Sequence, residues 1–249
     1  MSTMSTTDLS GRTAIVTGGS SGLGAAHTRA LVARGARVLN ADLTPGDGTL
    51  ERDLGDRVQY FKLDVTDEHG WEQAVAAAAG WGDPVDILVN NAGISEAAPL
   101  EDLTPASWRR TLDVNLTGHF LGLKAVLPGM KAAGGGAIVN TSSMVATLAV
   151  TDLTAYGVSK HGVVGLTRAA ALELGRYGIR VNVIHPGLID TPMNAAVPKQ
   201  ATDGIPISRF GRPEEIAALA VFLIADATYT TGSAFAADGG IVVGIPRAS

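Results

Sequence analysis

Short, almost continuously apolar runs recur along the chain, separated by longer segments whose apolar positions repeat with a helical period. Thr13–Thr17 (TAIVT) reads as a buried strand, and residues 22–34 as the helix after it. Arg37–Asp42 (RVLNAD) is a second strand, and residues 58–64 (VQYFKLD) a third, followed by a helix from about Asp67 to Ala79. Residues 86–90 (DILVN) form a fourth strand. A long helical stretch then runs from about Thr104 to Ala133, where Gly134-Gly135-Gly136 stops it. Strands follow at 137–141 (AIVNT) and 180–185 (RVNVIH), with a helix at about 155–175 between them. Pro213 opens another helix, with Glu214 and Glu215 placed to favour its dipole, and residues 233–237 give a last strand. Near-continuous apolar strands alternating with helices predict an α/β fold, a doubly wound parallel sheet of about seven strands covered on both faces. With neither linker nor repeat, residues 1–249 read as a single domain.

Composition narrows the class. Hydrophobic residues make up 46% of the 249 and charged residues only 17%, which fits a compact, well-buried protein. The net charge of −5 offers no basic face for nucleic acid or an anionic membrane. There is no Cys, which excludes disulfides, a CxxC redox site and thiolate zinc sites, and the five His do not pair as HxxxH or HExxH, so no metal is expected. The beginning, MSTMSTTDLSGR, is polar and carries no apolar signal core. The longest apolar stretch, residues 216–225, falls short of the ~20 residues of a membrane span. A cytoplasmic protein is the expectation.

Residues 17–24 (TGGSSGLG) follow the first strand and open a helix. Glycines there permit a tight turn and close approach of a pyrophosphate, and the helix start supplies N–H donors and positive potential. No Lys-Ser or Lys-Thr follows, so this is not a P-loop. Asp42 ends the second strand, where a carboxylate accepts hydrogen bonds from an adenosine ribose diol and repels a 2′-phosphate. No cation adjoins it, Ser21 supplies none from the turn, and Arg37 is at the strand's other end. NAD is therefore favoured over NADP; the plainer role for Asp42 is to cap the turn at Thr44 and Pro45.

Tyr156 and Lys160 lie one helical turn apart and share a face, with Ser143 thirteen positions upstream at the end of the fifth strand. A phenol titrates near 10. An ammonium at roughly 4 Å, with an effective dielectric near 20, favours the phenolate by about 4 kcal/mol, or about three pKa units. An exposed helical pair would explain Tyr156 and Lys160 but not Ser143. Open parallel sheets bind ligands beyond the carboxyl ends of their strands, and Gly18, Asn91, Ser143 and Pro186 all follow such ends.

These residues carry a likeness. The chain resembles the short-chain dehydrogenase/reductase family, Rossmann-like in fold, over essentially its whole length. The matching motifs are Thr17-Gly18-x3-Gly22-x-Gly24, Asp64-Val65, Asn90-Asn91-Ala92-Gly93, Asn115 within DVNLTG, Ser143, Tyr156-x3-Lys160, and Pro186-Gly187 with Thr191. Within the family it is most similar to bacterial NAD-dependent 3α/20β-hydroxysteroid dehydrogenases, through DLSGRTAIVTGG, ELGRYGIRVN and HPGLIDTPM. The resemblance implies Tyr156 as general acid/base and Lys160 as the group that lowers its pKa and holds the nicotinamide ribose. It implies Ser143 at the substrate oxygen, and Asn115 bending the long helix and holding a water that leads to Lys160. Gly18, Ser21, Gly22, Leu23 and Gly24 would carry the phosphates, Asp64 and Val65 the adenine, and Asn91, Ala92 and Gly93 the ribose side. Ile189 and Thr191 would bind the carboxamide, and Pro186 and Gly187 would also contact the cofactor. Asp64 could equally be a helix N-cap. Relatives usually form homotetramers through the helices at about 104–133 and 155–175 and the C-terminal segment. The apolar ending FAADGGIVVGIP would suit either such an interface or a buried last strand.

The implied reaction is hydride transfer between a nicotinamide and a carbon bearing oxygen, with an alcohol or ketone as substrate. The expected pocket walls, Ala97, Leu148, Val150, Leu153, Met193 and Val197, are apolar and suit a hydrophobic or steroid-like compound, unless they only pack the loop. Residues 186–211, with Pro186, Pro192, Pro198 and Pro206, form either a substrate-binding lid or an ordinary surface loop. The alternatives are a 3-oxoacyl-thioester reductase, which Asp42 disfavours, and a nicotinamide-binding sensor without turnover.

Overall fold

The computed structural model describes residues 7–244. The polar start before Thr7 and the end of the apolar C-terminal segment beyond Gly244 lie outside the described residues. Seven parallel strands form one sheet in the order β3-β2-β1-β4-β5-β6-β7. They are β1 (Thr13–Thr17), β2 (Arg37–Asp42), β3 (Val58–Lys62), β4 (Val85–Asn90), β5 (Gly136–Thr141), β6 (Ile179–Pro186) and β7 (Ala234–Ala237). The chain turns outward in both directions from β1 and β4, so the switch point, where a parallel sheet opens a crevice, lies between them.

Alternation along the central strands divides the core in two. Ala14 and Val16 of β1, Ile87 and Val89 of β4, and Ala137 and Val139 of β5 face one side. There they meet α1 (Gly22–Ala33) and α7 (Pro213–Ala225) through Leu31, Ile216 and Ala220. Ile15, Leu88 and Ile138 face the other side with Trp71, Leu121 and Val126. That layer is α3 (Glu68–Ala79), α5 (Gly118–Ala132) and α6 (Thr154–Leu174). Gly122 lets α5 lie against Trp71: a Cβ there would come within 2.7 Å of the indole. Pro213 and Glu215 open α7 as the sequence implies, the Glu215 carboxylate accepting the Arg212 N–H at 2.7 Å.

Two features depart from the sequence reading. A short helix, α2 (Thr49–Leu54), follows β2 in a stretch where no element is expected; only Leu50 of it is buried, so no apolar stripe marks it. The long helical stretch is two helices, α4 (Pro105–Leu112) and α5, joined by a π-helical turn over Asp113–Thr117. Asn115 sits inside that turn and is fully buried.

Candidate active site

Above the carboxyl ends of the strands lies a cleft of about 1100 Å³, larger than the ~300–1,000 Å³ of an ordinary small-molecule pocket. It runs from Asp42 and Val65 past the glycine turn to Tyr156 and on to Met193 and Val197. Of the site residues expected from the sequence, all line this cleft except Gly24 and Asn115.

At one end, Gly18 takes a left-handed conformation (φ +62°), and a Cβ on it would lie 3.0 Å from Ala92 Cα. Ser21 is the N-cap of α1 but makes no side-chain cap, so the first amides of the helix are left for another acceptor. Gly24 is set back against the turn: a Cβ would fall 1.9 Å from the Gly18 carbonyl oxygen, so it serves close packing rather than contact. Asn91 ties the end of β4 to this turn, its backbone N–H donating to Thr17 Oγ1 at 2.9 Å and its side-chain amide to Thr17 O at 3.0 Å.

Asp42 does two things at once. Its Oδ2 accepts the Ser20 N–H at 3.1 Å, fixing the carboxylate at the rim of the cleft, and its Oδ1 accepts the Thr44 N–H at 3.3 Å. The turn-capping role and the rim position therefore coexist. Asp64 is not a helix cap: Asp67 caps α3, while Asp64 accepts from Thr66 N and Oγ1 within its own turn. Val65 is held by its carbonyl, which accepts the Trp71 indole N–H at 3.0 Å.

At the other end, Ser143, Tyr156 and Lys160 converge. Lys160 is buried, and its ammonium donates to Thr141 O at 2.9 Å. Burial pulls its pKa down to about 8. The Tyr156 phenol is pushed up by burial and drawn partly back by its bond with the Ser143 hydroxyl. The charge attraction expected from the spacing is weaker than the i, i+4 argument implies. The ammonium lies 5.6 Å from the phenol ring centre and is turned toward Thr141, and burial penalises phenolate and ammonium alike. Gly93 makes room here, since a Cβ on it would come within 3.4 Å of Lys160 Nζ and 3.2 Å of Asn115 Oδ1.

Asn115 stands behind the wall. Its Oδ1 accepts the Ile94 N–H, and its Nδ2 donates to Ile94 O and to Ser159 Oγ at 3.1 Å. Five of the six expected pocket walls line the cleft; Leu148 does not, because its turn folds back through an N–H bond to Met144 O. Residues 186–211 are partly anchored. Ile189 is buried in the core, pairs with Gly211, and accepts the Asn194 amide at 2.8 Å, while Met193, Val197 and Ala201 face the cleft.

Sequence reasoning missed a buried amide relay. Asn90 donates to Asn140 Oδ1 at 3.0 Å, and Asn140 to Thr167 Oγ1 at 2.9 Å, linking β4, β5 and α6 beneath the site. Single Asn residues inside apolar strand runs were its signal. It also passed over His185, Ser142 and Ser159. Among the described residues, no group of three or more His, Asp or Glu is placed to hold a metal, and no helix is long and apolar enough to cross a membrane.

A family model described as enoyl-(acyl carrier protein) reductase matches residues 18–242. The chain is 44% identical over 239 residues to a 3-alpha-(or 20-beta)-hydroxysteroid dehydrogenase of Mycobacterium tuberculosis, spanning 95% of this chain and 92% of that one. It is 40% identical over 247 residues to the trans-4-hydroxycyclohexanecarboxylate dehydrogenase of Sinomonas cyclohexanicum, spanning 94% and 93%. A solved structure from Beutenbergia cavernae, described as an NAD(P)-dependent gluconate 5-dehydrogenase with NADP at low occupancy, superposes with a TM-score of 0.88. It is 36% identical and covers 95% of this chain and 98% of that one.

Proposed function

Because this chain belongs to the short-chain dehydrogenase/reductase family, an oxidoreductase of secondary alcohols or ketones, we propose that it is NAD-dependent and that Tyr156 is its general acid/base. The observation that carries this reading is the meeting of Ser143, Tyr156 and Lys160 at one end of a cleft whose other end is the glycine turn and Asp42. The uncapped start of α1, with Gly18 and Gly93 lining the cleft, fits a dinucleotide. Gly18, Ser21, Gly22 and Leu23 would hold its pyrophosphate, Asp42 its adenosine ribose, Asp64 and Val65 its adenine, and Asn91, Ala92 and Gly93 its middle. Pro186, Gly187, Ile189 and Thr191 would hold its nicotinamide, which supplies or accepts the hydride.

Ser143 orients the substrate oxygen against the Tyr156 hydroxyl. In oxidation the phenolate takes the alcohol proton; in reduction the phenol returns it. Lys160, held by Thr141 O, keeps a positive charge close to the site and favours the phenolate. Asn115 supports the helix turn that carries Tyr156 from behind through Ser159.

One solved relative holds NADP. For this chain NAD is favoured because the Asp42 carboxylate is fixed at the rim, where a 2′-phosphate would meet it. The far end of the cleft is lined by Ala97, Val150, Leu153, Met193 and Val197, which suits a hydrophobic, alicyclic or steroid-like substrate under a lid formed by residues 186–211. Exposed Phe120 on α5 and Val158 and Leu172 on α6 support a homotetramer built on those helices. A cytoplasmic location completes the reading.

The test is NADH and NADPH oxidation against steroid, cyclic and short-chain ketones, with Tyr156→Phe alongside. The expected result is turnover of hydrophobic cyclic ketones with NADH, reduced about 100- to 10,000-fold in Tyr156→Phe while NADH still binds. Undiminished turnover in Tyr156→Phe would refute its role, and turnover of polyols alone would refute the substrate class.

A further inference from the structure

We infer that His185 is a positioning residue for Ser143. The last backbone bond between β5 and β6 runs from Ser142 N–H to Ile184 O at 2.8 Å. β6 then ends in Pro186, which has no N–H with which to continue the ladder. Beyond that point the side chain of His185 takes over, its Nδ1 lying 3.0 Å from the Ser143 carbonyl oxygen.

A carbonyl only accepts, so Nδ1 carries the proton, and in the neutral ring Nε2 is a bare acceptor. That Nε2 is buried and has no partner among the described residues. An apolar side chain of similar size would avoid leaving a buried nitrogen unpaired. What the ring contributes at this position is therefore the single bond to Ser143. The same carbonyl accepts the Ala146 N–H at 3.0 Å, so both of its lone pairs are taken and the peptide after Ser143 is fixed from two sides. Besides its bond with the Tyr156 phenol, the Ser143 hydroxyl has a long one from Val145 N–H at 3.4 Å, so its direction depends on the backbone that carries it. Pro186, the next residue after His185, lines the cleft. One ring thus couples the strand end that bears Ser143 to the strand end proposed to bear the nicotinamide.

This inference rests on the reading of Ser143 as the group at the substrate oxygen. It is tested by steady-state kinetics and thermal melting of the wild type, His185→Leu, His185→Asn, Ser143→Ala and the Ser143→Ala/His185→Leu double variant. His185→Leu is expected to lower kcat about 10- to 100-fold, as misplacement of a catalytic group does, with KM for NADH within about twofold of the wild type. His185→Asn, whose amide puts a donor near the position of Nδ1, is expected to restore most of that loss. The double variant is expected to be no slower than Ser143→Ala alone, because His185 acts through Ser143. If His185→Leu does not fold, His185→Ala carries the same comparison. Multiplicative losses in the double variant, or an unchanged kcat in His185→Leu, would overturn the inference while leaving the proposed function intact. A wild type that turns over no alcohol or ketone would overturn both.

Discussion

Asn115 grips Ile94 at both ends of one residue, its Oδ1 accepting the Ile94 N–H at 2.8 Å and its Nδ2 donating to the Ile94 carbonyl at 2.9 Å. The same Nδ2 reaches Ser159 Oγ, which donates to Tyr156 O at 2.7 Å. A chain of hydrogen bonds therefore runs from the loop after β4, through the π turn, to the helix turn that carries Tyr156. The π turn opens the helix where Asn115 must face inward, as such turns often do at functional sites.

Asn115→Leu removes this link while keeping the volume. The Ile94 N–H and carbonyl would be left unpaired and partly buried, at a cost of about 2–4 kcal/mol. Urea denaturation is expected to show that loss, and turnover is expected to fall further than stability accounts for. Unchanged stability would mean that Ile94 finds other partners.

Asp42→Ala removes the carboxylate from the rim of the cleft. The NADP-to-NAD ratio of kcat/KM is expected to rise about 10- to 100-fold, an electrostatic difference of one to two powers of ten. An unchanged ratio would show that the 2′ position lies elsewhere.

Gly24→Ala places a methyl 1.9 Å from the Gly18 carbonyl oxygen, a contact with backbone that no rotamer relieves. The glycine turn and α1 must separate, and NADH affinity measured by fluorescence is expected to fall at least about tenfold, as small misplacements in such sites do. Wild-type affinity would show that the turn has slack.

His27 is buried in α1 with both ring nitrogens unpartnered, and burial pulls its pKa down to about 4. Between about 6.5 and 4 the unfolded chain binds a proton that the native state refuses, so stability falls as pH falls through that window. The slope from this group reaches up to about 1.4 kcal/mol per pH unit. His27→Leu is expected to flatten the acid limb measured by chemical denaturation, without loss at pH 7. Some acid dependence will persist, because His119 is buried neutral in the same sense. An unchanged acid limb would show that His27 finds water or a partner on protonation.

Local pattern along the chain is enough to set the layering and the ingredients of the site. Strand runs that are almost continuously apolar must be covered on both faces, and α/β alternation forces parallel crossovers, so the sheet and its cleft follow from local pattern. Gly18, Asp42, Ser143 and Tyr156 stood at strand or helix ends that such a sheet brings together, and the spacing alone put Lys160 beside Tyr156. What the sequence left out depends on contacts between segments far apart in the chain. α2 carries no periodic stripe, because only one of its residues is buried. Leu148, apolar like the cleft walls, is not among them because its turn folds back through an N–H bond to Met144 O.

Where each polar group points follows from contacts made by the folded chain. The i, i+4 rule places Lys160 near Tyr156, but it cannot foresee that Thr141 O, nineteen residues earlier, draws the ammonium aside. It cannot foresee that a proline at 186 ends a ladder and leaves His185 to reach Ser143, forty-two residues away. Helical and strand periods fix which face a side chain joins. The partner of a buried donor is fixed by whichever acceptor packing brings within 3 Å, and packing is a property of the whole chain.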